Sequence, residues 1–446
     1  MTETLFPIPE KSSSPAVRGQ GQPRLKIANR HQIEMRLASL DELLPEDHVA
    51  RMVWEMAQEY DLSGLYDAID AIEGEAGRPA IDPRLLLTVW LYATLEGVGS
   101  ARAVARLCQE HLAYQWLLGG VSVNYHTLAD FRVDHEAVLD AILTGSVAAL
   151  MSEGLVDLEH TAQDGVRIRA SAGASSFRRV ETLTGCLRQA EERVHRLKAE
   201  NHTDGEQPLS KGQQAARTRH ARERVERVKH ALEEVEKIVA KKAKSRDLKR
   251  KNRPARASST DPEARVTKMP DGGFRPAYNG QLNVDMKSRI IVGVDVSNEA
   301  DQCLLEPMVD QVQERYGRLM DQHSVDGGFR SNEGITALGK RGVTVYCPIR
   351  QSKHKNSQTK PEEVLPSDSP QVAAWKLRMV TPEAKEKYKG RAATVEWANA
   401  LLRNRGLQRF LVRGLRKARA VLLWYVLAHN LVQTFKLRQQ RQPAAA

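Results

Sequence analysis

The chain has 446 residues, 41% of them hydrophobic, which argues against wholesale disorder and allows roughly two to four domains of about 150 residues. Its 67 Lys and Arg outnumber its 56 Asp and Glu, a net charge of +11, and this basic balance indicates a polyanionic partner, usually nucleic acid. The four cysteines form no CxxC pair, which argues against zinc ribbons and disulfide scaffolds, and the apolar pattern predicts neither a membrane span nor a signal peptide.

The positive charge is unevenly distributed along the chain. Residues 1–150 carry a net charge of −9, residues 181–256 carry +9 and residues 401–446 carry +10. We therefore expect a polyanion to meet the middle and the C-terminal end of the chain first. Solvated helix faces would also explain such charge runs, and both interpretations stay open here.

The first 150 residues are predicted to be helical after a flexible arm. Residues 1–35 are rich in Pro, Ser and Gly, a composition typical of an arm. Within residues 36–150, Asp82 and Pro83 are typical of the N-cap and first position of a helix that runs buried to Leu95. Further helices are predicted after Ser100 and from His126, and the glycine-containing turns between them fit a helix-turn-helix or a plain helical bundle.

Three arginines of this helical region are candidates for DNA contact. They are Arg102, Arg106 and Arg132. The net charge of −9 argues against strong phosphate binding by the whole region, but one basic face would be enough to touch DNA.

Residues 155–171 alternate between apolar and polar side chains, as strands do. Asp164-Gly165 is a common turn sequence, so we predict a hairpin with this dipeptide at its tip. Strand patterns resume at 277–296, with strands at 281–285 and 290–294. After them we predict a helix from 303 to 319, a short strand at 324–326, a helix at 332–340 and a strand at 343–349. A polar loop covers 351–370, and the chain is mainly helical from about 383. Together these segments predict a mixed α/β domain.

An insertion of residues 175–270 splits that domain. Apolar residues spaced four and three apart occur twice, from Leu183 to Leu197 and from Ala221 to Val239, with a polar loop between them. This pattern predicts an antiparallel helical hairpin. The following run 241–256 has nine Lys and Arg in 16 residues, and its predicted DNA contacts are Lys241, Lys242, Lys244, Lys249, Arg250 and Lys251.

Three acidic residues lie where phosphoryl-transfer chemistry would need them. Asp164 and Asp326 are each predicted at a strand end beside glycine, and Glu396 lies in a basic helical segment. Ligands tend to bind at strand ends of an open α/β sheet, and carboxylates are suitable ligands for Mg²⁺ or Mn²⁺. Spacing alone is weak evidence, since an Asp before Gly is usually only a turn.

The chain resembles the DDE-type transposases of bacterial insertion sequences, in the branch with a helical N-terminal domain. The resemblance covers residues from about 35 to 435 and rests on motifs that occur in the same order. They are PRLLL (83–87), SAR (100–102), YQWLLGG (114–120), FR (131–132), DGVRIRASA (164–172), DPEAR (261–265), PAYNGQ (276–281), DGGFRS (326–331), the segment 391–396 that ends in Glu396, and AHNL (428–431).

The resemblance implies an RNase H-like α/β catalytic domain, made of residues 151–174 and 271–435, behind an all-α N-terminal domain, with residues 436–446 as a tail. It implies that Asp164, Asp326 and Glu396 are catalytic and hold two divalent ions, Mg²⁺ or Mn²⁺. One ion would activate water and then a 3′-hydroxyl, and the other would stabilise the leaving oxygen. The expected partners are double-stranded DNA, as terminal inverted repeats and target, and further copies of the chain in a homodimer or larger assembly. The expected location is the bacterial cytoplasm, at the nucleoid.

A related signature places Tyr, Arg, Glu and a basic residue on the last catalytic helix. Tyr388, Arg391 and Arg403 are the corresponding candidates for supporting roles, but four residues separate Arg391 from Glu396 where the signature has three. The acid-free C-terminal block adds Arg413, Arg416 and Lys417 as predicted DNA contacts. Two alternatives to a transposase are a non-catalytic DNA-binding or regulatory relative and an RNase H-like nuclease that cuts without joining.

Overall fold

A computed structural model of the chain describes residues 38–71, 74, 79–200, 210–244, 248–349 and 362–441. The predicted arm, residues 1–35, lies outside the described residues, as do most of the predicted loop 351–370 and the last five residues of the predicted tail.

The N-terminal region is helical, as predicted. Its described helices are α1 (Leu40–Leu43), α2 (Val49–Gln58), α3 (Ser63–Tyr66), α4 (Pro83–Leu95), α5 (Ala101–Glu110), α6 (Leu112–Leu118), α7 (Tyr125–Asp134) and α8 (Glu136–Ser152). The predicted start of α4 is confirmed, because the Asp82 side chain accepts a hydrogen bond from Arg84 N at 2.8 Å and Pro83 is the first helical residue. The single helix predicted after Ser100 is instead two, α5 and α6, which meet at His111.

A mixed sheet follows the helices. Its strands are β1 (His160–Arg169), β4 (Arg265–Lys268), β5 (Phe274–Asp285), β6 (Ile291–Ser297), β7 (Gln322–Val325) and β8 (Thr344–Tyr346), and a small separate pair is β2 (Phe177–Arg178) with β3 (Ala257–Ser258). The hydrogen-bonded order is β4-β5-β1-β7-β8, and β6 also pairs with β5. The β1–β5, β4–β5 and β5–β6 pairs are antiparallel, whereas β1–β7 and β7–β8 are parallel. A helical region followed by a mixed α/β sheet is therefore confirmed.

The hairpin predicted around Asp164-Gly165 is wrong. The chain runs straight through both residues in β1, and its antiparallel partner is β5, with Asp164 opposite Leu282 and Gly165 opposite Gln281. Glycine is needed at 165 for close approach and not for a turn. A Cβ there would lie 2.6 Å from Asp301 Oδ1 and 2.6 Å from Gln281 Nε2, which is too close for any other residue to fit without displacement.

The helical hairpin predicted inside 175–270 is confirmed. It consists of α9 (Val180–Glu200) and α10 (Lys211–Ala243), followed by the short helix α11 (Leu248–Asn252). A small core of its own holds the two helices together, with Leu183, Val228 and Val235 fully buried. The β2–β3 pair joins both ends of the excursion, because Phe177 lies opposite Ser258. The insertion therefore leaves and re-enters the rest of the chain at one neck.

The C-terminal part is helical. Its elements, together with the helices between the strands, are α12 (Leu305–Tyr316), α13 (Asn332–Lys340), α14 (Pro370–Met379), α15 (Pro382–Lys389), α16 (Trp397–Asn404) and α17 (Leu415–Arg441). The last helix packs on both the sheet and the N-terminal helices. Asn430 on α17 exchanges two hydrogen bonds with the backbone of Ile291 in β6, at 2.9 and 2.8 Å.

Tryptophans join α17 to the N-terminal helices. The Trp424 ring lies 6.3 Å from the Trp90 ring, and its Nε1 donates to Arg132 O at 2.9 Å. The same apolar core continues from these helices into the sheet. Among the described residues, no helix combines the length and the apolar character that crossing a membrane requires.

Candidate active site

Asp164 and Asp326 come together on neighbouring parallel strands. Gln163 of β1 lies opposite Val325 of β7, and each of these two residues is followed by an aspartate. Adjacent strands are about 4.8 Å apart, which makes the two carboxylates near neighbours. Asp326 follows the last residue of β7, as predicted, and its Oδ1 accepts a hydrogen bond from Gly328 N at 2.7 Å. Asp164, in contrast, lies within β1 and not at a strand end.

Glu396 lies at the end of a π-helical turn, Ala392–Glu396, which leads directly into α16. In an α-helix, residues five apart point about 140° away from each other. A π-turn forms i to i+5 hydrogen bonds, and such turns are frequent at functional sites. The turn places Arg391 and Glu396 on one face, where Arg391 Nη1 donates to Glu396 Oε1 at 2.7 Å. The extra residue between Arg391 and Glu396 is thus absorbed by the backbone.

Arg391 connects two of the three acidic residues. Its Nη2 lies 2.8 Å from Asp164 Oδ1 while Nη1 holds Glu396, and its side chain is only 7% exposed. A buried cation between two carboxylates compensates charges that would otherwise repel each other. Arg391 is therefore the group that holds this side of the site together in the structure.

Asn399 was missed by sequence reasoning. It lies three residues after Glu396 on α16, and its Nδ2 donates to Asp164 Oδ2 at 2.8 Å. Its Oδ1 is buried and has no partner among the described residues. The i to i+3 spacing from Glu396 was the available signal, because residues three apart share a helix face.

The electrostatics of the site are dominated by burial. Burial raises the pKa of Asp164, the nearby Arg391 opposes this, and the charge of Asp326 raises the pKa further. The pKa of Tyr388, a candidate supporting residue, is raised chiefly by burial; the charge of Arg391 lowers it, and those of Asp326 and Glu396 raise it further. Arg403 is exposed in the last turn of α16.

The site offers hard oxygen donors, but in this structure they are not arranged around a common point where a metal ion could bind. Within the described ranges, no group of three or more His, Cys, Asp or Glu side chains is arranged to hold a metal ion. The guanidinium of Arg391 stands between Asp164 and Glu396 instead. The donors themselves, carboxylates of Asp164, Asp326 and Glu396 with the unpartnered Asn399 Oδ1, are of the kind that Mg²⁺ or Mn²⁺ binds.

The three arginines predicted to contact DNA in the helical region have different surroundings. Arg102 and Arg106 are exposed on α5, where Arg102 lies 5.0 Å from the centre of the Tyr125 ring and Arg106 lies 3.6 Å from Glu110. Arg132 is 7% exposed, packs 4.7 Å from the centre of the Trp90 ring and donates to Gly99 O. Arg132 is therefore a packing residue in this structure and has little surface to offer to DNA.

The basic run after the hairpin is partly engaged within the protein. Lys241 pairs with Glu299, and Lys242 donates to Arg253 O at 2.7 Å. Lys244 and Lys251 are exposed, whereas the side chains of Lys249 and Arg250 lie outside the described part of the chain. Of the C-terminal candidates, Arg413, Arg416 and Lys417 are all exposed around the start of α17, and Arg416 lies 3.8 Å from Asp134.

Two family models match this chain. The model described as Transposase domain (DUF772) matches residues 38–134, and the model described as Transposase DDE domain matches residues 339–435. No curated protein and no solved structure matches the chain. The second match includes Glu396 but neither aspartate, because it begins at residue 339, after Asp326.

The two matches together indicate an insertion-sequence transposase of the DDE type, which confirms the resemblance read from the sequence. Transposases act on DNA, which supports DNA as the polyanionic partner indicated by the net charge.

Proposed function

We propose that this chain cleaves DNA strands at the ends of an insertion sequence and joins them to target DNA. The observation that carries the proposal is the adjacency of Asp164 in β1 and Asp326 just after the parallel strand β7, with Glu396 linked to Asp164 through Arg391. We further propose that residues 151–174 and 271–435 form an RNase H-like catalytic domain. The mixed sheet, with β1, β7 and β8 parallel beside the β5–β6 hairpin, supports this assignment.

Asp164, Asp326 and Glu396 would hold the divalent ions, Mg²⁺ or Mn²⁺, two per site. When bound, such ions activate the attacking hydroxyl and stabilise the leaving oxygen at phosphorus. Asn399 orients the Asp164 carboxylate, since it already donates to Oδ2. Arg391 neutralises the carboxylates until Glu396, whose side chain is 52% exposed, turns toward the aspartates. Burial raises the pKa of Asp164 by disfavouring its charged form, and a bound divalent cation would stabilise that carboxylate.

The expected DNA partners are terminal inverted repeats and target duplex, bound by a homodimer or larger assembly that holds two ends together. We also propose that residues 36–150 bind the DNA ends, that residues 175–270 form an inserted module, and that the protein works in the bacterial cytoplasm at the nucleoid.

The test is cleavage of a labelled duplex that carries the DNA flanking the coding region, with and without Mg²⁺. Asp164→Asn, Asp326→Asn and Glu396→Gln should each reduce cleavage by about 1,000-fold or more, because losing a metal ligand removes several kcal/mol of transition-state stabilisation. DNA binding should persist. Asp321→Asn is the matched control, since Asp321 is an exposed acid just before β7.

The outcomes separate the three functional classes. Cleavage with transfer of the labelled end to target DNA supports the transposase. Cleavage without transfer would identify a nuclease, and binding without cleavage by the unaltered chain would identify a regulatory relative. Undiminished cleavage in the three variants would refute the assignment of the acidic residues.

A further inference from the structure

A basic groove lies away from the three acidic residues, between the insertion and the start of α17. One wall is the first half of α10, the other is the segment 411–417, and α7 contributes to the floor. Its volume is about 1260 Å³. We call it the α10 groove. None of its α10 residues belongs to the basic run 241–256 that the sequence singled out.

Unpaired positive charge lines the α10 groove. Its cations are Arg219, Arg222, Arg227, Arg413 and Lys417, against the acids Asp130, Glu223 and Glu226. None of the five cations forms an ion pair within the part of the chain that the structure describes, whereas two of the acids already have partners outside this set. Glu226 lies 3.4 Å from Lys229, and Glu223 lies 3.5 Å from His220.

Arg227 is the most confined of these cations. It is half-buried, and its Nε has no partner among the described residues. Burial lowers its pKa, and the neighbouring charges of Arg413 and Arg224 lower it further, while Glu223 opposes them. Cations from both walls therefore repel each other across the groove. An anion bound between them would relieve that repulsion and supply the missing acceptor.

One short segment fixes both walls in place. Arg265 forms an ion pair with Glu234 of α10, whose side chain is 5% exposed. Upstream, Asp261 Oδ1 accepts from Gly414 N at 3.1 Å, and Glu263 Oε2 accepts from Leu415 N at 2.8 Å. The DPEAR segment that closes the insertion thus anchors the helical hairpin and caps α17. The groove is consequently formed before any ligand arrives.

The length of chain between Asp164 and the groove limits how far apart they can be. Ser171, which lines it, is seven residues beyond Asp164 on the chain that continues β1. Seven extended residues span at most about 23 Å, which corresponds to roughly seven base pairs of duplex.

We propose that the α10 groove binds the phosphate backbone of the duplex that flanks the cleaved end. This inference rests on the proposed function, since it needs DNA in the active site. The five cations of the groove would contact phosphate oxygens, and such contacts position a duplex without reading its base sequence.

The experiment measures binding of a fluorescein-labelled duplex of about 40 base pairs by anisotropy, as a function of salt concentration. Arg219→Gln with Arg222→Gln alters one wall, and Arg413→Gln with Lys417→Gln alters the other. All four residues are exposed, so the fold should be retained, which a thermal melt checks. The matched control is Arg193→Gln with Arg196→Gln, two exposed arginines on α9 that do not line the groove.

The logarithm of the binding constant falls linearly with the logarithm of the salt concentration, and one phosphate contact contributes about 0.9 to the steepness of this slope. Each wall variant should therefore make the slope shallower by about 1.8 and weaken binding roughly 60-fold at 0.1 M salt. The control should bind like the unaltered chain. Wall variants that keep the original slope, or a control that loses as much, would overturn the proposal.

Cleavage is measured in parallel to keep the two proposals apart. If the unaltered chain cleaves DNA and the wall variants bind normally, only the proposal about the groove is overturned. A chain that binds with the predicted wall dependence but never cleaves supports the groove and overturns the proposed reaction. A chain that binds no duplex overturns both.

Discussion

Replacing Gly165 by alanine tests why this glycine follows Asp164. The added Cβ would meet Asp301 Oδ1 at 2.6 Å, Gln281 Nε2 at 2.6 Å and Asn279 Oδ1 at 2.7 Å. These groups also bond one another, since Asp301 Oδ1 accepts from Asn279 at 2.6 Å and from Gln281 at 3.1 Å. Making room for a methyl group means moving at least one of them.

The expected loss can be worked out from these contacts. Overpacking costs about 1–3 kcal/mol, and a displaced buried hydrogen bond adds about 1 kcal/mol. Alanine in a strand is more stabilising than glycine by roughly 0.5–1 kcal/mol, which offsets part of this cost. The net destabilisation is therefore about 2 kcal/mol. For a chain of this size it lowers the melting temperature by only about 2 °C, so urea unfolding followed by tryptophan fluorescence is the better assay.

The matched control is Gly145→Ala in the middle of α8, where a new Cβ has no atom within 4 Å. It should gain about 0.5–1 kcal/mol, because alanine is the better helix former. If Gly165→Ala were as stable as the unaltered chain, position 165 would have free space, and the close-approach explanation would be wrong.

Two further predictions concern a buried histidine and the π-turn. Burial, with the nearby His160, lowers the pKa of His323 to about 3. Below pH 6.5 the unfolded chain therefore binds a proton at this histidine that the folded chain does not bind. The free energy of unfolding consequently falls with decreasing pH, by up to about 1.4 kcal/mol per pH unit. His323→Gln should flatten the dependence of urea stability on pH between about 6 and 4, relative to the unaltered chain, and an identical slope would contradict this explanation. Deleting the exposed Ala393 should convert the π-turn to α-helix and keep Arg391 and Glu396 on one face, so the cleavage rate should stay within about tenfold of that of the unaltered chain. Duplicating Ala393 should instead abolish cleavage. A deletion as damaging as the duplication would show that the π-turn itself is required.

Local signals in the sequence predicted most of the elements. An N-cap aspartate followed by proline defined the start of α4, and the four-and-three spacing of apolar residues defined α9 and α10. The same local reasoning failed at Asp164-Gly165. Glycine is suited both to a turn and to a close approach, and only the contacts with Asn279, Gln281 and Asp301, which are 114–136 residues away, distinguish the two.

The candidate site was predictable in its acidic residues but not in its connections. Motif order pointed to Asp164, Asp326 and Glu396, and the register between β1 and β7 makes the first two neighbours. The role of Arg391 depends on a π-turn. The extra residue between Arg391 and Glu396 indicates an irregular backbone there but does not predict that it is a π-turn. Charge counting found a basic insertion, yet it could not tell which arginines face a groove or that Arg132 is buried.

The position of α17 has a consequence for the order of folding during synthesis. The indole of Trp424 fills the space beside Trp90 and Phe131, so the first helices to leave the ribosome lack the partner that completes their core. They must wait for nearly 300 further residues to be translated before that apolar surface is covered. A transcript that stops before α17 would therefore yield an aggregation-prone product and not a free N-terminal domain. Truncated copies of the gene would accordingly produce chains that expose this apolar surface to chaperones and proteases.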